Sequence, residues 1–306
     1  MTQGIDVAAI VGPTAAGKSS IGIEVAEALD AEIVSVDSMQ AYRGMDVGTD
    51  KPTPEMQARV PHHLLDAFPA SHDLTVSEFQ SRARAAIADI AARGRLPLLI
   101  GGSGLYFRAV VDDLRFPPRS PDVRRELEEE AGALGPEALH ARLARLDPKA
   151  AAKIEIANAR RIIRALEVIA LTGRPFSEND SWETYESVYS LAVAGLGRER
   201  ALLYDRIEER VSEMLRGGLV DEVRRLDRMG MSRAASQALG YRQVLKAGAG
   251  ASEVSLREEI AAATKRFARR QESWFRADPR VVWFDASQSG IAEALTSFFK
   301  ERFSLR

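Results

Sequence analysis

Val7-Ala8-Ala9-Ile10-Val11-Gly12-Pro13-Thr14-Ala15-Ala16-Gly17-Lys18-Ser19 decides the architecture of this chain. A short apolar run closed by a glycine suits a strand covered on both faces. The next eight residues fit GxxxxGK[ST], and residues 20–29 carry apolar side chains at helical spacing. Strand, glycine-rich turn and helix, in that order, form the setting in which backbone N–H groups and a helix N-terminus cradle phosphate oxygens. There Lys18 adds a point charge and the Ser19 hydroxyl can hold Mg²⁺.

Outward from this loop, residues 33–36 form a second apolar run, which completes a βαβ opening. Residues 76–92 predict a helix, and residues 96–100 a buried strand closed by Gly101 and Gly102. Residues 188–194 and 281–284 resemble further core strands, for about five in all. The expected fold is α/β: a core like that of P-loop-containing nucleoside triphosphate hydrolases, with a parallel sheet and flanking helices. Residues 117–181 change to charged, alanine-rich helical text entered through Pro117-Pro118. The expected organisation is therefore a core of residues 1–116 and 182–306 with an inserted helical lobe of residues 117–181. Three helices, at about residues 199–216, 219–229 and 255–276, precede the last strand.

Composition sets outer bounds. Of 306 residues, 45% are hydrophobic and 28% charged, which excludes collagenous, low-complexity and membrane classes. No apolar run approaches a bilayer span, and residues 1–9 lack the pattern of a secretory leader, so a cytoplasmic protein without membrane attachment is expected. With no cysteine, thiolate metal sites, disulfides and a cysteine nucleophile are ruled out. A net charge of −2 gives no global pull on nucleic acid, so any polyanion must be met by local basic clusters.

The loop alone leaves the ligand open. Such loops mark nucleotide- and ATP-binding proteins, but an NTPase normally adds a Walker B carboxylate. The matching strand is instead followed by Gly101-Gly102-Ser103-Gly104. Asp37, at the end of the second strand, should lie beside the phosphate loop, where open α/β sheets bind ligands. A carboxylate there can serve as a general base, hold Mg²⁺ through water, or merely cap a turn.

Several further stretches carry a resemblance. They are Asp37-Ser38-Met39-Gln40-Ala41-Tyr42-Arg43-Gly44-Met45-Asp46-Val47-Gly48-Thr49 with Lys51-Pro52, His62-His63-Leu64-Leu65-Asp66 and Gly101 to Tyr106. Arg160-Arg161-Ile162-Ile163-Arg164-Ala165-Leu166-Glu167, Gly240-Tyr241-Arg242-Gln243 and Arg270-Gln271 with Trp274-Phe275-Arg276 join them. Together with the phosphate loop, these residues resemble tRNA dimethylallyltransferases, from residue 7 to about 285.

That resemblance implies transfer of a dimethylallyl group from dimethylallyl diphosphate to N6 of adenosine 37 in tRNAs reading codons that begin with U, assisted by Mg²⁺. The loop would then grip a diphosphate leaving group, and no γ-phosphate is needed. By the resemblance, Asp37 is the base, Thr14 donates to the diphosphate and Arg206 stabilises it. Asp37, Ser38, Met39, Gln40, Ser103, Arg160, Arg161, Ile162, Ile163, Arg164 and Gln271 would face the tRNA anticodon stem-loop, and a monomer is expected.

The residues themselves add detail. Arg206 and Arg210 lie one helical turn apart beside an apolar face; pairing of Arg206 with Glu209 is the structural alternative. On a helical wheel of residues 260–276, Ile260, Ala263, Phe267 and Trp274 share the apolar side with Gln271, opposite Lys265, Arg269 and Arg276. A polar amide on that side must find partners, which singles out Gln271. His62 and His63 are adjacent and suit turn packing better than a metal. Asp46, Thr49 and Lys51 suit either a tRNA channel or a structured surface loop. Trp182, Trp274 and Trp283 are read as packing aromatics. The rivals are an isopentenyltransferase acting on free adenylate, a small-molecule kinase and a nonenzymatic RNA-binding module.

Overall fold

The computed structural model describes residues 4–178, 184–248 and 252–304. The chain forms two compact units, Met1–Asp112 with Tyr185–Arg306, and Asp113–Thr184. The first crossing comes at Asp112, a little before the expected Phe116, because the Asp112 carboxylate is buried against Arg108 (2.6 Å) and Arg280 within the first unit. The expected second boundary and Trp182 lie outside the described residues.

The first unit is built on a six-stranded parallel sheet: β1 (Asp6–Val11), β2 (Ala31–Ser35), β3 (His62–His63), β4 (Leu96–Gly101), β5 (Ser190–Gly197) and β6 (Val281–Asp285). The order is β3-β2-β4-β1-β5-β6, which sets β1 between β4 and β5. The strand beyond the expected five is β3, a two-residue edge piece paired with Ile33 and Val34. Two residues carry no readable period, so His62 and His63 looked like a turn.

Alternation along β1 explains its unbroken apolar text. Val7, Ala9 and Val11 enter a core with Phe79, Phe107, Ile207 and Phe275, while Ala8 and Ile10 enter one on the opposite face with Val25, Leu295 and Phe299. Helices α1 (Lys18–Ala28), α2 (Pro54–Arg59), α3 (Val76–Ala92) and α4 (Gly104–Val111) belong to the first half of this unit. Thr75 caps α3 by accepting from the Glu78 N–H at 3.2 Å.

The second unit holds α5 (Pro121–Leu134), α6 (Pro136–Leu146), α7 (Pro148–Lys153) and α8 (Ala159–Thr172). Three of these start on proline, whose missing N–H is no loss at that position. The unit has its own core of Leu127, Leu139, Leu143, Ile162 and Leu166.

The first unit resumes with α9 (Arg200–Arg216), α10 (Leu219–Arg228), α11 (Arg233–Ser236), α12 (Tyr241–Ala247), α13 (Glu253–Arg276) and α14 (Ile291–Phe303). Among the described residues no helix is long and apolar enough to cross a membrane.

Candidate active site

The phosphate loop joins β1 to α1, and two helices distant in sequence close over it. From α9, Arg206 Nε donates to the Ala15 carbonyl (3.1 Å), and Arg210 Nη1 donates to Thr14 Oγ1 (2.7 Å). From α13, the buried Gln271 amide accepts from the Thr14 N–H (2.9 Å) and donates to the Gly102 carbonyl (2.8 Å). The amide on the apolar side of α13 thus finds both partners, and they tie the phosphate loop to the turn after β4. Among the described residues Arg206 forms no ion pair with Glu209, and its Nε serves the loop instead.

This crossing accounts for the absent Walker B carboxylate. A Cβ at Gly102 would lie 2.2 Å from Gln271 Nε2, and one at Gly104 2.0 Å from Trp274 Cδ1. Helix α13 rests directly on the backbone at Gly102 and Gly104, so a side chain at either position would meet it, while Ser103 between them turns toward the second cavity described below.

Two cavities meet at Arg210. The first, about 330 Å³, is lined by Ala15, Gly17, Lys18, Ser19, Asp50, Met56, Arg206 and Arg210, among others. Lys18 Nζ donates to the Pro13 carbonyl (2.7 Å). Burial first, and then Arg210, lower its pKa to about 8 against the opposing pull of Asp37 and Asp50. The second cavity, about 400 Å³, is a channel with more apolar walls, including Met39, Ile207, Val211, Met214, Ile260 and Phe267. Thr14, Asp37, Ser38, Thr49, Ser103, Arg210, Arg242, Arg270 and Gln271 are among its polar groups.

Asp37 is therefore in the same cavity as the loop residue Thr14, although β4 separates their strands. Its Oδ1 accepts from the Met39 N–H (2.9 Å), a turn-capping bond. Among the described residues Oδ2 has no hydrogen-bond partner. Gln40 stands apart from its neighbours: its Oε1 accepts from Ser35 Oγ (2.9 Å), and its Nε2 donates to the carbonyls of Thr49 and Asp50 (both 3.2 Å). Its amide is a strut under the loop of residues 46–50.

That loop is organised by a residue the sequence did not single out. Glu222, on α10 and 6% exposed, accepts from the N–H groups of Asp46 (3.0 Å), Val47 (2.9 Å) and Gly48 (3.1 Å), and from the Tyr241 hydroxyl. Burial, with Glu222 next, pushes the Tyr241 pKa upward, so the phenol keeps its proton and donates it. Two of the separated motifs, around Gly48 and Tyr241, thus form one assembly. Thr49 lines the channel, whereas Lys51 is buried, bonded to the Tyr42 carbonyl (3.0 Å), Asp46 (2.5 Å) and Asp66 (2.6 Å), and holds the loop instead. Arg198, just after β5, was also missed; its Nη2 would lie 4.0 Å from a Cβ on Gly17 of the loop, and burial first, then Arg206 nearby, lower its pKa. The strand-end rule that found Asp37 would have found it too.

Five of the residues expected to face tRNA have side chains engaged within the chain. Ile162 and Ile163 are buried in the core of the second unit, so their side chains present no surface. Arg164 donates to the carbonyls of Pro117 (2.9 Å) and Pro118 (3.0 Å) and pairs with the buried Glu167 (2.8 Å). The Gln40 and Gln271 amides are consumed as described. Arg160 and Arg161 are exposed on α8. On α13, Phe275 rather than Trp274 fills the core, and Trp274 is 44% exposed. Lys265 pairs with Glu208, and Arg276 pairs with Glu272 at 2.9 Å. His63 Nε2 meets the buried Glu32 at 2.7 Å, a packing role at the sheet edge.

Known proteins place this architecture. The profile of the IPP transferase family matches residues 40–278. A protein of Streptomyces avermitilis named tRNA dimethylallyltransferase is 53% identical over 290 residues, covering 94% of this chain and 92% of its own. The crystal structure of a full-length tRNA isopentenylpyrophosphate transferase from Bacillus halodurans matches with a TM-score of 0.70 and 39% identity over 98% of each chain. A eukaryotic dimethylallyltransferase shares the fold, at a TM-score of 0.80 and 23% identity, over 96% of this chain and 77% of its own. This chain belongs to the IPP transferase family.

Proposed function

We propose that this chain transfers a dimethylallyl group from dimethylallyl diphosphate to N6 of adenosine 37 in tRNAs reading codons that begin with U, and releases diphosphate. The relatives' names agree with this reading. One juxtaposition carries it: a cationic phosphate cavity meets, at Arg210, a partly apolar channel that holds Asp37.

The diphosphate sits on the loop N–H groups with Lys18, Arg206 and Arg210 around it. The dimethylallyl chain extends along the apolar wall of the channel. Thr14 Oγ1 already accepts from Arg210, so its own proton is free to donate to the leaving oxygen. The N6 lone pair forms a bond to C1 of the dimethylallyl group as the C1–O bond breaks, and the electron pair leaves with the diphosphate. An exocyclic adenine amine is a weak nucleophile, so removal of its proton by Asp37 Oδ2 assists the step. The fixed cations contribute because charge grows on the departing oxygens.

Among the described residues no three His, Asp or Glu side chains converge on a metal position. The donors present fit Mg²⁺ held by the Ser19 hydroxyl together with diphosphate oxygens and water. When bound, the ion would supply further neutralisation of the leaving group.

For tRNA, adenosine 37 must leave its stack to enter the channel. Asp37, Ser38, Met39 and Ser103 line its path, Gln40 and Gln271 act by holding the loops, and Arg160 and Arg161 offer charge to phosphates. The test supplies labelled dimethylallyl diphosphate or ATP with unmodified tRNA, AMP or no acceptor. Label from the prenyl donor should enter tRNA alone. Transfer to AMP, phosphate transfer from ATP, or tRNA binding without transfer would each replace this reading with one of its rivals.

A further inference from the structure

Six charged side chains line the phosphate cavity, Lys18, Arg206 and Arg210 against Asp50, Glu209 and Glu213, and its formal charge is zero. A nest for a multiply charged diphosphate calls for a surplus of cations. All three carboxylates are exposed, those of Glu209 and Glu213 on α9 and that of Asp50, 57% exposed, at the end of the loop of residues 46–50, but it is Asp50 that reaches Arg210. Its backbone is left-handed, at φ 52°, a conformation Asp tolerates better than most residues. Its N–H donates to the Val47 carbonyl (3.3 Å), and its own carbonyl accepts from Gln40 Nε2 (3.2 Å). So anchored, its carboxylate lies 3.4 Å from Arg210 Nη1, the same nitrogen that holds Thr14 Oγ1. An arriving diphosphate meets this carboxylate at the cation it needs, and the two anions repel unless a cation stands between them. Ser19 lines the same cavity, and carboxylate, hydroxyl and phosphate oxygens together are a donor set for Mg²⁺.

We infer that Asp50, with Ser19, makes diphosphate binding conditional on a divalent cation shared between the Asp50 carboxylate and the diphosphate oxygens. Without the ion, Asp50 competes with the diphosphate for Arg210. The inference rests on the diphosphate reading of this cavity.

Calorimetry with dimethylallyl diphosphate, in chelator and in Mg²⁺, tests it on the full chain and on Asp50→Asn, which keeps the left-handed backbone and removes the charge. The unaltered chain should gain about tenfold or more in affinity on adding Mg²⁺. The variant should bind about tenfold more tightly than the unaltered chain in chelator and gain little from the ion. An equal Mg²⁺ gain in both proteins, or weaker binding by the variant in chelator, overturns the inference. No binding by the unaltered chain in either buffer overturns the diphosphate reading itself. Electron paramagnetic resonance with Mn²⁺ gives an independent readout. The unaltered chain should retain Mn²⁺ only when diphosphate is present, and equal retention by Asp50→Asn again overturns the inference.

Discussion

Lys18 is held where its charge is disfavoured, with a pKa lowered to about 8 mainly by burial and then by Arg210. A diphosphate on the loop reverses the local potential and raises that pKa. The free protein then has Lys18 protonated below about pH 8 and neutral above, while the complex keeps the proton to higher pH, so binding above pH 8 takes up a proton. The affinity for dimethylallyl diphosphate without tRNA should be level below about pH 8 and fall above it by up to about tenfold per unit. Calorimetry in two buffers of different ionisation heat checks both the fall and the proton. Affinity unchanged up to about pH 9.5 would show that Lys18 does not touch the anion. Asp37 allows a cleaner separation of roles. In Asp37→Asn the amide oxygen can still accept the Met39 N–H, so the turn is kept while the base is lost. Single-turnover transfer should slow by about 10²–10⁴-fold with donor affinity retained; an unslowed chemical step would leave Asp37 as a capping residue.

Helix α13 shows how one element can serve both packing and chemistry. Its Gln271 is the bond between the phosphate loop and the turn after β4, so Gln271→Ala strands the Thr14 N–H and the Gly102 carbonyl. A loss of about 1–3 kcal/mol in denaturant-measured stability is expected, with weaker diphosphate binding. The loop of residues 46–50 has its counterpart on α10. Tyr241→Phe leaves Glu222 three N–H donors and should lower stability by about 1 kcal/mol, whereas Glu222→Gln turns an NH₂ toward those donors and should lower it further. Equal denaturation midpoints for the two variants would dissolve this account of the loop. The same elements show what the sequence could reveal. The phosphate loop, helix α3 to its last residue and the Gln271 amide on an apolar helix face were legible because each is a local pattern. Edge strand β3 is too short for a period, and α14 follows the last motif in the chain. The wheel exchanged Phe275 for Trp274 because α13 packs over the flat Gly102–Gly104 backbone, where an indole lies across a glycine instead of entering the core. Glu222 was silent because a carboxylate on an amphipathic helix is normally solvated, and only the fold brings three N–H groups to it.

The net charge of −2 means that a polyanion is repelled by the chain as a whole and drawn only by local clusters. Several basic residues that look free in the sequence are spent internally: Lys265 on Glu208, Arg276 on Glu272, and Arg164 on Pro117, Pro118 and Glu167. Arg160 and Arg161 are exposed, and each phosphate they neutralise releases condensed counterions. Replacing both by alanine should flatten the log–log dependence of tRNA affinity on salt by about 1.4–1.8 in slope, with little change in the stability of the fold. Lys265→Ala should leave the slope unchanged. Arg164→Ala should instead lower thermal stability, because it leaves the buried Glu167 carboxylate with the Ser120 N–H but without its ion-pair partner. Filter binding across a salt series, alongside thermal melts, separates these outcomes. A full slope in the Arg160, Arg161 double variant would move the site of phosphate contact elsewhere, with Arg242 and Arg270 of the channel as the next cations to test.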